Sequence, residues 1–174
     1  AADARFAALP VARAPKVQAV PGGLQRADSV LAGLESLRAP DDEWVLVHDA
    51  ARPCVSREEI ESLLVTAGSD AVGGLLAVPL ADTLKREAAG RAQETPSRES
   101  LWRALTPQMF RLGALRSALR QARAAQRVPT DEAQALEWLG QQPRLVAGSP
   151  LNLKITTAAD LALAAAILSQ RGER

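Results

Sequence analysis

Asp49 and Arg52 stand just after an apolar run, Trp44-Val45-Leu46-Val47-His48, that reads as a central parallel strand covered on both faces. Ligands of open α/β sheets bind beyond the carboxyl ends of such strands. An aspartate there could hold a sugar hydroxyl or a metal, and an arginine could face a phosphate. The plain alternative is a helix cap beside a surface ion pair. His48 ends the strand as the lone histidine. Such a residue is more often hydrogen-bonded and structural than an acid or base, so it is left out of catalysis. Lys154 follows a short extended piece, and composition alone makes it a surface lysine. Thr83, Lys85 and Arg98 flank a polar stretch where a threonine and two cations are ordinarily solvated. Thr106 and Thr130 are hydroxyl donors at loop ends, Gly22-Gly23 is a turn, and Ser29 is a candidate helix cap.

What is scarce narrows the chemistry further. The single cysteine, Cys54, excludes an internal disulfide and a cysteine-rich zinc site, and one histidine leaves little for a metal cluster. A metal, if used, is expected to arrive with a substrate. The 21 basic and 20 acidic residues give a net charge of +1, with no basic run that argues for nucleic acid. Anion binding therefore falls to local clusters.

The 174 residues suffice for one compact domain and are too few for two ordinary ones, so residues 1–174 are expected to form a single domain. Hydrophobic residues at 47% and charged residues at 24% match a soluble globular chain. The apolar stretch Leu161 to Leu168 is about half of what a bilayer span needs, and no signal sequence opens the chain. A cytoplasmic location is expected. The sequence starts at Ala1 without a start methionine or a recognisable first strand, and a missing beginning is expected.

The elements that must position these residues follow from periodicity and punctuation. Lys16 to Val20 alternates and stops at Pro21-Gly22-Gly23, which predicts a strand and a turn. A helix capped by Asp28 or Ser29 follows, with Val30, Leu31, Leu34 and Leu37 at helical spacing before Pro40. After the Trp44 to His48 strand, Ser56 and Glu59 have the form of a capping box for a helix through Ile60, Leu63, Leu64 and Ala67. Ala71 to Val78 predicts a second buried strand, with Gly73-Gly74 marking close backbone approach. The alternation of strand and helix is that of an α/β, doubly wound, mostly parallel sheet. Leu80 to Arg98 is too polar and too long for an ordinary connection and predicts a projecting arm. Trp102 to Phe110 returns to the core, Leu112 to Ala125 is a helix, and Thr130 starts and caps another that Gly140 closes. Arg144 to Ala147 is a short strand, Asn152 to Ile155 is extended, and Ala158 to Gln170 is a final amphipathic helix. Trp44, Trp102 and Trp138 are expected in the core.

Taken together, several of these strings resemble one family. Gly22-Gly23 with Arg26-Ala27-Asp28-Ser29-Val30 and Val47-His48-Asp49-Ala50-Ala51-Arg52-Pro53 resemble the 2-C-methyl-D-erythritol 4-phosphate cytidylyltransferases. So do Pro79 to Lys85, Arg98 ahead of Leu101-Trp102, Leu105-Thr106-Pro107-Gln108, Thr130-Asp131-Glu132-Ala133 and Asn152-Leu153-Lys154-Ile155-Thr156. They fall in the family's order over roughly residues 16 to 160. The resemblance implies a Rossmann-like nucleotidyltransferase sheet whose arm, residues 80–98, is exchanged between two subunits of a homodimer. The implied reaction joins the phosphate of methylerythritol phosphate to the α-phosphorus of CTP and releases pyrophosphate, as part of non-mevalonate isoprenoid synthesis. It needs alignment and positive charge rather than a serine or cysteine nucleophile.

By the same resemblance, Arg98 and Lys154 are the catalytic cations. Asp49, Arg52, Thr83, Thr106 and Thr130 bind the acceptor, and Gly23, Ser29 and Ala50 face the nucleotide. No protein ligand for a metal is expected. Mg2+ or another divalent cation is carried mainly by the CTP phosphates. CTP and a polyol phosphate are the expected partners, with no nucleic acid and no membrane. Two departures stand out. The glycine-rich triphosphate loop of the family has no match before Lys16, and Leu24 occupies a place where relatives often carry a polar side chain. A ribitol-phosphate-type cytidylyltransferase, or a non-catalytic dimerising module, stays open as an alternative.

Overall fold

The computed structural model describes residues 4–172. The chain divides into two compact units, Ala1–Val47 with Phe110–Pro143, and His48–Met109 with Arg144–Arg174. In chain order the elements are α1 (Ala4–Ala8), a 3-10 turn (Pro10–Arg13), α2 (Arg26–Ser36), β1 (Trp44–Val47), α3 (Arg57–Gly68), β2 (Gly73–Pro79), β3 (Arg86–Ala88), β4 (Arg91–Glu94), β5 (Trp102–Arg111), α4 (Leu112–Ala124), α5 (Glu132–Glu137), β6 (Arg144–Ala147) and α6 (Ala158–Gln170). The four-stranded sheet has the order β1-β5-β2-β6. It is mixed and mostly parallel, with helices flanking it, an α/β architecture as the alternating pattern predicts.

In the first unit, α4 buries Leu112, Leu115, Ala118, Leu119 and Ala122, which share one helical stripe, while α2 buries Leu31 and Leu34. Each leucine so buried contributes about 1.5–3 kcal/mol. The Arg116 guanidinium donates to the Leu34 and Leu37 carbonyls at the end of α2, at 2.7 and 2.8 Å, and so satisfies acceptors that a helix terminus leaves open.

In the second unit, β2 is buried from Gly73 to Val78 and pairs in parallel with β6, Gly74 opposite Arg144. A Cβ at Gly74 would overlap the Arg144 carbonyl oxygen, which is the close approach that the paired glycines announce. The capping box at α3 forms as predicted: Ser56 Oγ accepts from Glu59 N at 3.2 Å, and Ser56 N donates to Glu59 Oε2 at 3.0 Å. The polar stretch 80–98 contains an antiparallel hairpin, β3–β4, in which every strand residue is exposed.

Several local expectations are corrected. Lys16 to Val20 belongs to no sheet, because alternation makes a strand only where a neighbour supplies the ladder, and nearly all of this run is exposed. Helix α2 begins at Arg26, with Gln25 as its N-cap. Asp28 closes the box by accepting from Gln25 N at 3.2 Å, so Ser29 is free of the capping role. Asp131, not Thr130, caps α5, since its carboxylate accepts from Gln134 N at 2.9 Å. Of the tryptophans expected in the core, Trp102 is exposed, and Trp44 and Trp138 lie half-buried under the Arg111 and Arg127 guanidinium groups, each 3.7 Å from the ring centre. Helix α6 is not cleanly amphipathic: Ala164 and Ile167 are buried, but Leu161 and Leu163 are exposed.

Candidate active site

The carboxyl end of β1 runs into the turn His48-Asp49-Ala50-Ala51-Arg52, closed by a bond from Arg52 N to Asp49 O of 2.9 Å. Its residues belong to the second unit. Thr106, 4% exposed on β5, accepts from Asp49 N through Oγ1 at 3.0 Å and meets His48 Nδ1 at 2.9 Å. His48 Nε2 lies 3.0 Å from the Arg52 carbonyl oxygen. That carbonyl can only accept, so a neutral ring donates through Nε2 and takes the Thr106 proton at Nδ1. The imidazole thus ties the turn to β5.

The extended segment after β6 supplies the remaining side of the group. Lys154 Nζ is 2.9 Å from Asp49 Oδ2, and Arg52 Nε is 4.0 Å from the same oxygen. Arg52 Nη1 donates to the Asn152 carbonyl oxygen at 2.9 Å, and Ile155 N to the Ala51 carbonyl oxygen at 2.8 Å. Two cations thus share one carboxylate, leaving excess positive charge at a point where Lys154 is 44% exposed and Asp49 and Arg52 are mostly covered. Such a group can receive a phosphate, with the carboxylate aligning the cations or accepting from a substrate hydroxyl.

Of the residues expected at a site, Asp49, Arg52, Thr106 and Lys154 are brought together. Ala50 is exposed within the same turn. Thr83 and Arg98 lie exposed on the arm, where the Arg98 guanidinium donates to the Ala81 carbonyl instead of joining the cluster. Gly23, Ser29 and Thr130 belong to the first unit. There Ser29 Oγ accepts from Gly23 N at 3.0 Å and lies 3.2 Å from the Gln25 carbonyl oxygen, and a Cβ on Gly22 would crowd that hydroxyl. Thr130 is exposed, and its N–H donates to Gln134 Oε1 at 2.8 Å. The first residue of α2 is fixed by a bidentate ion pair: Arg26 Nη1 and Nη2 reach Glu132 Oε1 and Oε2 at 2.6 and 3.0 Å, with the Glu132 side chain 1% exposed.

Sequence reasoning passed over three of these groups. Asn152, Glu59 and the Arg26–Glu132 pair carry no signal in the sequence beyond spacing or a cap, because local pattern does not show what a buried polar group meets. Among the described residues, no group of three His, Cys, Asp or Glu side chains is placed to hold a metal ion. The Asp49 carboxylate, already shared by two cations, is a poor ligand on its own.

The model of the family 2-C-methyl-D-erythritol 4-phosphate cytidylyltransferase matches residues 1–170. A protein of that name from Ectopseudomonas mendocina is 57% identical over 164 residues, covering 92% of this chain and 70% of its own length. One from Cronobacter sakazakii is 52% identical, covering 97% of this chain and 72% of its own. The crystal structure of the Thermus thermophilus cytidylyltransferase superposes with a TM-score of 0.79 at 34% identity, covering 92% of this chain and 79% of that one.

Proposed function

The chain belongs to the 2-C-methyl-D-erythritol 4-phosphate cytidylyltransferase family, and on that premise we propose how its residues divide the transfer of a cytidylyl group from CTP to methylerythritol phosphate. An oxygen of the acceptor phosphate attacks the α-phosphorus, a new phosphoanhydride bond forms, and pyrophosphate leaves with the bonding electrons. The nucleophile is already an anion, so the protein's task is alignment and charge cancellation.

One observation carries this reading: Lys154 and Arg52 converge on Asp49 at 2.9 and 4.0 Å. Lys154, the more exposed cation, neutralises the incoming phosphate beside the α-phosphorus, and Arg52 holds its remaining oxygens. Asp49 accepts from a hydroxyl of the polyol. Thr106 serves the acceptor through Asp49, whose N–H it receives. Thr83 and Arg98 act from the arm on the acceptor bound by a partner copy in a homodimer. The exposure of the whole β3–β4 hairpin supports that exchange. Thr130 adds a hydroxyl for the acceptor, and on the nucleotide side Gly23, Ser29 and Ala50 read the cytosine and ribose through hydrogen bonds. A divalent cation, Mg2+ by expectation, travels on the CTP phosphates and would offset their charge. No described helix is long and apolar enough to cross a membrane, and we place the enzyme in the cytoplasm.

The test is pyrophosphate release from CTP by the full-length gene product, with methylerythritol phosphate and ribitol phosphate as rival acceptors. Turnover at least as good with ribitol phosphate would overturn the acceptor assignment. Mixing the Arg98→Ala and Lys154→Ala variants tests the exchange: each heterodimer holds one site with both cations, so activity returns in part, and a dead mixture under conditions of subunit exchange removes arm exchange from the reading.

A further inference from the structure

A buried residue, Asn152, stands between Arg52 and Lys154 in the acceptor cluster. Asn152 is 0% exposed. Its backbone carbonyl receives Arg52 Nη1 at 2.9 Å, and its Nδ2 donates to the Thr106 carbonyl at 2.9 Å. The same Nδ2 lies 3.5 Å from Glu59 Oε1. Lys154 follows two residues on in the extended chain.

Glu59 stood in the sequence as the far end of a capping box, a role that one of its oxygens fills. The other goes further: Oε1 accepts from Ser149 N at 2.8 Å, at the turn that leads into Asn152. The residue is 7% exposed, so its carboxylate works in a medium where hydrogen bonds to a charge are strong and geometrically selective. Asn152 Oδ1, by contrast, is buried with no hydrogen-bond partner. Rotating the amide would not relieve it, because Oδ1 would then face the Thr106 carbonyl and the Glu59 carboxylate, both acceptors. An orphan acceptor tolerated in this way marks an orientation fixed for the sake of the two donors.

We infer that Asn152, oriented by the second oxygen of Glu59, is the positioning residue of the acceptor site, setting Arg52, Thr106 and Lys154 in one frame. The inference rests on the acceptor-site reading above. Neither residue touches the reacting atoms; both act through the cations.

The test is steady-state kinetics of full-length variants. Asn152→Ala and the near-isosteric Asn152→Asp, which loses the donors, are expected to raise KM for methylerythritol phosphate about tenfold or more and to leave KM for CTP within about twofold. Glu59→Gln keeps the shape but has one acceptor oxygen where two are used, and shifts the same constant in the same direction. Ser56→Ala is the control for a merely structural role: it weakens the α3 cap and lowers the melting temperature, with the acceptor KM unchanged. Should Asn152→Ala fail to fold, Asn152→Asp and Glu59→Gln decide. An unchanged acceptor KM in either, or equal rises for both substrates, overturns the inference. Lys154→Ala and Arg52→Ala separate the two levels. If they too leave the acceptor constants untouched, the acceptor-site reading itself fails; if they respond and Asn152→Asp does not, only the positioning role is lost.

Discussion

In the unit of His48–Met109 and Arg144–Arg174, four of the proposed acceptor residues, Asp49, Arg52, Thr106 and Lys154, come from separated segments and are linked to one another by hydrogen bonds and ion pairs. In the unit of Ala1–Val47 and Phe110–Pro143, Gly23 and Ser29, two of the proposed base-facing residues, come from one short stretch and bond each other. Placing cations side by side is costly without a scaffold, so the acceptor side carries buried groups, Thr106, Asn152 and Glu59, whose task is orientation. Reading a base needs donors and acceptors that can be exchanged, and an exposed pair held by a single bond suits that, because swapping one hydrogen bond for another changes little.

The widest test of this contrast sets Lys154→Ala against Ser29→Ala. Removing a preorganised cation from the phosphate is expected to lower kcat/KM for methylerythritol phosphate by about 10²–10³, or about 2.7–4 kcal/mol. The fold should be spared, since Lys154 is 44% exposed. Ser29→Ala removes an exchangeable partner, and KM for CTP is expected to rise only about fivefold, within the worth of one ordinary hydrogen bond. Pyrophosphate-release kinetics with each substrate varied in turn measure both, and equal losses would erase the distinction between the two sides.

A smaller effect is expected from Glu132→Ala, read as stability rather than turnover. The change leaves the Arg26 guanidinium without its bidentate carboxylate at the first residue of α2. Breaking a buried pair costs about 3–5 kcal/mol, and because Arg26 is 35% exposed the expected loss is nearer about 2 kcal/mol. Urea unfolding reads it. A loss below about 0.5 kcal/mol, the surface-pair range, would mean that the nucleotide unit has no rigid anchor of this kind, and the contrast with the acceptor side would widen.

The two units also differ in how much of them the sequence discloses. Asp49 and Arg52 were legible because an apolar run followed by charge marks a strand's carboxyl end, and the Ser56–Glu59 spacing marks a helix start; both signals are local. Glu59's second oxygen was not legible, since Ser149 and Asn152 lie far along the chain and no periodicity encodes their return. Lys16–Val20 lacks a strand for the same reason: alternation describes a surface, and a strand needs a partner. Thr130 and Asp131 are both good cap types, and only geometry decides that Asp131 caps α5. Trp44 and Trp138 lie outside the core because an arginine over the ring lets an indole sit near solvent.

The smallest expected effect concerns the far end of the segment that bears Lys154. Asp160 Oδ2 accepts from Thr156 N, Thr156 Oγ1 and Thr157 N at 3.0, 2.9 and 2.8 Å, and these donors, those of Thr156 first, hold its carboxyl down at about 2 against an ordinary 3.8. A folded-state value below the unfolded one means that the native state favours the ionised form. The stabilisation is complete above about pH 4 and fades as pH falls toward 2. Asp160 is solvent-facing, so the increment is modest. The difference in urea midpoint between the wild-type enzyme and Asp160→Asn should therefore be small, constant near neutrality, and vanish between pH 4 and pH 2. A difference that persists to pH 2 would show that the asparagine itself disturbs the cap. The increment would then not come from the Asp160 charge, and the placement of the Lys154 segment would rest on the Asn152 and Ile155 bonds rather than on the titratable cap.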